Sequence, residues 1–516
     1  MRGFLKKALR LVFHRVVIVA ALLLVQLALL VLMMVEFQKY FVYFYTLCTV
    51  ISILVALYIV NNDRTNPAYK IAWLIPILLV PVFGGLFYIV GRDHISRRQK
   101  EKMAGIAGNI AHIGTETSDT LAELDAENPL AASQSRYIER CGFCPPYGGT
   151  TAEYLPLGEV KFDRLLKELK AAKRFIFLEY FIIQEGKMWD PVLEILEQKV
   201  KEGVEVRVIY DDFGCMMTLP ARYYEVLEKK GIQCCVFNPF VPVLSLRFNN
   251  RDHRKICVID GWVGFTGGIN LADEYINAYP KHGHWKDVSV MLKGEAVWGL
   301  TTMFLSMWDY LRHVEENFED FRPGVVPYAL PSTPRGYVQP YSDSPLDEEA
   351  VGETVYLNLI SKAERYVYIC TPYLIISNEM LTALSAAAKS GIDVRIITPH
   401  IADKWYVHSV TRAYYQVLVE AGVKIYEYTP GFIHAKTFVV DDLYGVVGTI
   451  NLDFRSLYLH FECAAWMYRT PCIREMKEDF LKTQSVSKEI TLDWCRAVPL
   501  HARLLRSVLR VFAPLM

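Results

Sequence analysis

His253-x-Lys255-x4-Asp260-x6-Gly267-x-x-Asn270 is repeated further along the chain as His434-x-Lys436-x4-Asp441-x6-Gly448-x-x-Asn451. The chain has only 12 His among 516 residues, so one such string is expected well under once by chance, and two with the same Gly and Asn offsets are not accidental. Two imidazoles, two ammonium groups and two amides suit chemistry at a phosphodiester. One His can attack phosphorus while the other protonates the departing alcohol, and the Lys and Asn pairs can hold the phosphate oxygens. Imidazole has an ordinary pKa of about 6.5, so a neutral nucleophile and a protonated acid can coexist near neutrality once their surroundings differ. The symmetry of the motifs does not choose between the two histidines. Asp260 and Asp441 fall where a strand gives way to a turn, so turn formation competes with direct catalysis for them.

The segments around the motifs repeat as well. Alternating β-branched and aromatic runs, Arg174–Phe181 and Arg365–Tyr373, follow similar helical stretches, Phe162–Lys173 and Glu353–Glu364. Each is followed by a helix end, a Gly stop and an apolar strand, at Lys201–Val208 and Lys389–Ile396. This alternation predicts two α/β halves. Each His-x-Lys segment is expected to start a strand, with His and Lys on one face because side chains alternate. A second short strand, Trp262–Thr266 or Leu443–Val447, then brings Gly-x-x-Asn back to the same region.

With these residues in place, the chain resembles the phospholipase D superfamily and, within it, the bacterial cardiolipin synthases. The resemblance runs through Trp73–Arg92, Leu178–Phe181, Thr449–Ser456 and the closing Pro514-Leu-Met. It implies duplicated phospholipase D-like α/β sandwich halves preceded by N-terminal transmembrane helices. It further implies His253 as nucleophile, His434 as acid and then base, and Lys255, Asp260, Lys436 and Asp441 as their motif partners. Asn270 and Asn451 are implied at the phosphate, and Asp287, 34 residues after His253, and Glu462, 28 residues after His434, as the carboxylates that orient the histidines. Gly268 departs from the Ser or Thr of many relatives, represented here by Thr449, which leaves the first half one hydroxyl short. The implied reaction passes a phosphatidyl group from one phosphatidylglycerol to another through a phosphatidyl-histidine. A hydrolase or another phosphatidyltransferase, such as a phosphatidylserine synthase, would use the same residues.

The expected domain plan is a membrane anchor at 1–102, a connector at 103–136, the first half at 137–335, the second at 336–484 and a membrane-proximal segment at 485–516. Three uncharged or nearly uncharged runs, Val16–Val35, Tyr40–Val60 and Ile71–Val90, are each of a length to span a bilayer core of ~30 Å. They predict an integral, multi-pass protein of the cell membrane. The basic cluster after Val90 and the absence of a disulfide pattern lean toward a cytoplasmic catalytic body, although the basic flank before Val16 asks for the same side and three full crossings cannot satisfy both. Net charge is zero, which with the spans argues against a nucleic-acid partner. No cluster reads as a metal site and no Gly-rich nucleotide loop is present, so no cofactor is expected and the partners are phosphatidylglycerol and membrane lipids.

Overall fold

The computed structural model describes residues 41–62, 66–80, 118–239, 250–323, 336–346 and 349–515, with single positions between 24 and 35 and between 84 and 88. The chain divides into two units, one of them 1–95 with 238–249 and 515, the other holding both motifs.

In the motif-bearing unit the first half contributes β1 (Thr150–Leu155), β2 (Phe175–Tyr180), β3 (Glu205–Asp211), β4 (Gln233–Phe237), β5 (Arg251–Asp252), β6 (Lys255–Ile259), β7 (Val263–Gly267), β8 (His284–Lys286) and β9 (Ser289–Gly294). The second half contributes β10 (Tyr337–Asp343), β11 (Tyr366–Cys370), β12 (Asp393–Pro399), β13 (Lys424–Tyr428), β14 (Gly431–Ile433), β15 (Thr437–Val440), β16 (Tyr444–Gly448), β17 (His460–Tyr468) and β18 (Ser487–Ile490). One sheet has the order β1-β9-β7-β6-β2-β3-β4. The other has β10-β17-β16-β15-β11-β12-β13-β18, so the same seven-strand plan occurs twice with β18 added at one edge. The predicted duplication of α/β halves is present. In each, the strand that leads away from the His-x-Lys segment, β6 or β15, runs antiparallel to a fully buried central strand, β2 or β11.

A shared apolar core joins the halves. Phe177, Val258 and Phe304 of the first and Tyr368, Val439 and Met467 of the second belong to one buried cluster. The helix after β9, Val297–Arg312, packs on β10 of the other half, and the helix after β17, Cys472–Ser485, packs on β1. This exchange makes the two halves one folded body and fixes the two motifs relative to each other. At the far end, the Leu500–Val511 helix packs on the Trp405–Glu420 helix, with Arg510 over the Tyr414 ring at 4.4 Å. It leaves Leu500, Leu504, Leu505 and Val508 exposed.

The expectation of N-terminal transmembrane helices is corrected, because among the described residues no helix is long and apolar enough to cross a membrane. Most of the first candidate, Val16–Val35, lies outside the described residues. The second forms the helix Phe41–Val60, nearly the whole of the expected run Tyr40–Val60. The third begins earlier than expected, as the helix Pro67–Leu79, carries Pro76 inside it and stops after about 20 Å. The two helices touch each other, yet they leave Tyr43, Leu47, Leu54, Leu57, Leu78 and Leu79 exposed. The integral-membrane partnership and the multi-pass cell-membrane location, with the sidedness attached to it, fall with the spans.

Candidate active site

Each motif histidine is placed by a short parallel pairing with the opposite half. β5 pairs with the start of β17 (Arg251 with His460, Asp252 with Phe461), and the next amide, His253 N–H, donates to Phe461 O at 2.9 Å. β8 pairs with β14 in the same way, and His434 N–H donates to Lys286 O at 2.7 Å. The consequence is a crossed site. His253 Nδ1 lies 2.9 and 3.0 Å from the two carboxylate oxygens of Glu462, in the second half. His434 Nδ1 lies 2.6 Å from Oδ2 of Asp287, in the first. With Nδ1 engaged on both rings, Nε2 is the nitrogen left for a substrate.

All of these groups are buried, with Glu462 and Asp287 fully so. Lys255 Nζ donates to the carbonyl of His253; Lys436 Nζ donates to that of His434 at 2.5 Å and lies 2.9 Å from its Nδ1. Each ammonium is thereby held beside its imidazole, as alternation along a strand requires. Burial, then the neighbouring ammonium groups, holds both histidines well below the usual imidazole range. Burial likewise pushes Lys255 down to about 7, Lys436 down to about 8 and Asp287 up to about 7. Burial thus moves the histidines, the lysines and Asp287 toward their neutral forms, and an entering phosphodiester anion favours protonated Lys and His. Because kcat/KM reports the free enzyme, we expect it to fall by about tenfold or more between pH 7 and pH 9 as the two lysines lose their protons. A pH profile on micellar substrate that stays flat to pH 9 would contradict this electrostatic account.

Asp260 and Asp441 are not brought to the histidines. Each sits at the other end of its strand, in a left-handed turn with φ of 55° and 57°. Asp260 accepts from the backbone amides of Lys173, Arg174 and Phe175 at 2.8, 2.7 and 3.0 Å. Asp441 accepts from those of Glu364, Arg365 and Tyr366 at 2.6, 2.9 and 2.8 Å. Both carboxylates thus bracket the entry of the central strand. Asp260→Ala is expected to cost about 2–4 kcal/mol by orphaning three amides and straining the turn, with turnover per folded molecule little changed. Thermal unfolding beside active-site titration measures both, and a stable but inactive variant would return Asp260 to the chemistry.

Asn270 spends its amide inside the protein, with Oδ1 accepting from Ile182 N–H at 3.0 Å and Nδ2 donating to Tyr275 Oη at 2.6 Å. Asn451 is also buried, and its Oδ1 has no hydrogen bond among the described residues. A Cβ at Gly267 would lie 2.5 Å from Ser289 Cα, and one at Gly448 2.2 Å from Ala464 Cβ, so the motif glycines let the acid-bearing strand approach. Gly268 has its own reason: a Cβ there would sit 2.1 Å from Asp287 Oδ1. The counterpart Thr449 instead donates its hydroxyl to Glu462 and accepts from Cys463 N–H at 3.0 Å. The hydroxyl missing from the first half is therefore one that serves the orienting carboxylate.

His460 was not singled out in the sequence. It stands two residues before Glu462 on β17, and that spacing on a strand was the available signal. Its ring lies 5.6 Å from that of His253. Among the described residues His253, His460 and Glu462 are a group able to hold a metal ion, with ligand atoms within 4.8 Å of one another.

Comparison with known proteins agrees with this geometry. A family described as cardiolipin synthase, PLD-like domain, matches residues 165–308 and 356–483, and a phospholipase D-nuclease N-terminal family matches 50–92. Cardiolipin synthase of Geobacillus kaustophilus is 34% identical over 471 residues, covering 91% of this chain and 92% of its own. Cardiolipin synthase 2 of Bacillus anthracis is 34% identical, covering 91% and 90%. An uncharacterized protein of Streptococcus mutans is 46% identical, covering 89% and 99%. Among solved structures, the phosphatidylserine synthase of Haemophilus influenzae shares the fold at a TM-score of 0.54 and 14% identity, covering 74% of this chain and 98% of its own. With two intact His-x-Lys motifs meeting in one crossed site and relatives matched over nearly their whole length, the chain belongs to the cardiolipin synthase family of the phospholipase D superfamily.

Proposed function

We propose that the chain transfers a phosphatidyl group from one phosphatidylglycerol to the primary hydroxyl of another, giving cardiolipin and glycerol. The observation that carries this reading is the pairing of two histidines, each held by a carboxylate of the opposite half, in a buried, lysine-lined site, in a chain similar over nearly its whole length to proteins named cardiolipin synthase. In the first step His253 Nε2 forms a bond to phosphorus, the bond from phosphorus to the glycerol oxygen breaks, and His434 gives that oxygen its proton. In the second, His434 takes the proton of the incoming hydroxyl, the new oxygen–phosphorus bond forms and the bond to His253 breaks. One phosphodiester replaces another, so the sequence is balanced without a nucleotide or an oxidant. Lys255 and Lys436, with the amide of Asn451, hold the phosphate oxygens. The apolar row of Leu500, Leu504, Leu505 and Val508, with Arg503 and Arg510 on the same helix, suits an anionic lipid substrate.

Purified protein given phosphatidylglycerol alone in mixed micelles should form cardiolipin and glycerol in equal amounts, with phosphatidic acid minor, and added glycerol should drive the reaction backward. Holding acceptor lipid at the site supplies effective molarities up to roughly 10⁵ M, enough to outrun water. Turnover should persist in EDTA, since each step above is carried by side chains. Phosphatidic acid as the main product at high lipid density would make the protein a hydrolase.

A further inference from the structure

The two halves of the site differ at one position. By the crossed strand pairings, Lys286 and Phe461 correspond, then Asp287 and Glu462, and therefore Trp285 and His460. Beside His434 stands the Trp285 indole, with ring centroids 5.5 Å apart. Beside His253 stands a second imidazole. The His460 side chain is 10% exposed, and its Nδ1 is 3.7 Å from Glu462 Oε1, too far for a hydrogen bond. Among the described residues neither of its ring nitrogens makes a hydrogen bond of ordinary geometry, which is costly for a nearly buried imidazole.

We propose that His253, His460 and Glu462 form a binding site for one divalent transition-metal ion of the zinc kind, and that its occupancy reversibly silences the nucleophile. Two imidazole nitrogens and a carboxylate oxygen are a ligand set that such ions favour over Mg²⁺ or Ca²⁺, with the fourth position left to water or a phosphate oxygen. At metal–ligand distances of about 2.0–2.2 Å a tetrahedral ion holds its ligand atoms roughly 3.3 Å apart. His253 and Glu462 already stand at 2.9 Å, so the rearrangement falls mainly on His460, whose ring makes no close hydrogen bond among the described residues. β17 presents His460 and Glu462 on one face, and the β5 pairing brings His253 to them, so the backbone already assembles the three ligands. In the other half Trp285 offers no lone pair, and no equivalent third ligand stands beside His434 and Asp287 among the described residues. A bound ion occupies a lone pair of His253 and takes Glu462 from its orienting task, so it competes with the first step.

That consequence rests on His253 being a reacting group, whereas binding does not. Full-length protein in detergent, stripped with EDTA and dialysed, is titrated with ZnCl₂ alone by calorimetry, and turnover of phosphatidylglycerol is followed over the same range. We expect one ion bound per chain, inhibition that tracks binding, and full recovery on adding EDTA. His460→Asn should weaken binding at least about tenfold and raise the half-inhibitory zinc concentration by a similar factor relative to its own zinc-free rate, while His282→Asn should leave both unchanged. Absence of stoichiometric binding by the wild type, or equal binding by His460→Asn, overturns the site. Binding that depends on His460 without inhibition keeps the site and overturns its regulatory role. Absence of turnover in zinc-free wild type would count against the transferase reading and leave the calorimetric result to stand on its own.

Discussion

Replacing either catalytic histidine with alanine should lower turnover by about 10⁴-fold or more, and the two variants should fail at different steps. His253 and His434 are both buried, each held by a carboxylate at Nδ1 and accompanied by an ammonium group, so the loss of either removes one of two distinct proposed roles. A substrate with an activated leaving group, phosphatidyl-p-nitrophenol, separates them. Its departing phenolate needs no proton, so His434→Ala should still form the histidine adduct, and the adduct should persist because the incoming hydroxyl lacks its base. His253→Ala should form none. Mass spectrometry of acid-quenched protein after brief exposure detects the adduct and its position. An adduct on His434 would reverse the two roles, and its absence from both variants and from wild type would remove the covalent intermediate altogether.

The direction of this assignment gains a physical argument that the motifs alone did not contain. Burial pushes Asp287 up to about 7, and its oxygen lies 2.6 Å from His434 Nδ1. A pair of that kind shares protons as a unit near neutrality, which suits the partner that must give a proton and then take one back. His253 faces Glu462, whose second oxygen also receives the Thr449 hydroxyl. The added hydrogen bond fixes the position of that carboxylate, and so the orientation of the His253 ring that leaves Nε2 to the substrate. The small difference between Gly268 and Thr449, one leaving space for a shorter acid and the other adding a donor to a longer one, thus bears on which histidine does what.

How much of this was legible depended on sequence distance. The repeated strings, the strand alternation around Phe175–Tyr180 and Tyr366–Cys370 and the matching glycine stops are local patterns, and they predicted two like halves. The candidate orienters Asp287 and Glu462 were named by position, but their crossing was not readable, because it depends on β5 with β17 and β8 with β14, pairings between residues well over a hundred positions apart. Asp260 and Asp441 carried a turn signal and a motif signal at once, and only the backbone amides they accept separate the two. The N-terminal runs showed hydrophobic length without showing where a helix begins or stops, and one helix there runs from Pro67 to Leu79 with Pro76 inside it. His460 was hidden because a lone histidine on a strand is unremarkable until the opposite half brings a second imidazole beside it.

The crossing makes its own prediction. Glu462→Gln should impair the first-half histidine and Asp287→Asn the second-half one, each by about 10²- to 10⁴-fold in the step its histidine serves. Both amides keep the size of the side chain and remove the charge, and each carboxylate is fully buried, so water cannot replace what is lost. With phosphatidyl-p-nitrophenol, Glu462→Gln should slow the burst of nitrophenol, since that burst reports attack by His253. Asp287→Asn should leave the burst nearly intact and slow the steady state, since only the later transfer needs His434 as base. Combining Glu462→Gln with His253→Ala should cost little beyond His253→Ala alone, and the same should hold for Asp287→Asn with His434→Ala, because members of one unit are not additive. If the bursts followed the opposite pattern, with Asp287→Asn suppressing attack by His253, each half would be using its own carboxylate during turnover. The two β-bridges that tie the halves together would then have to open for the enzyme to work.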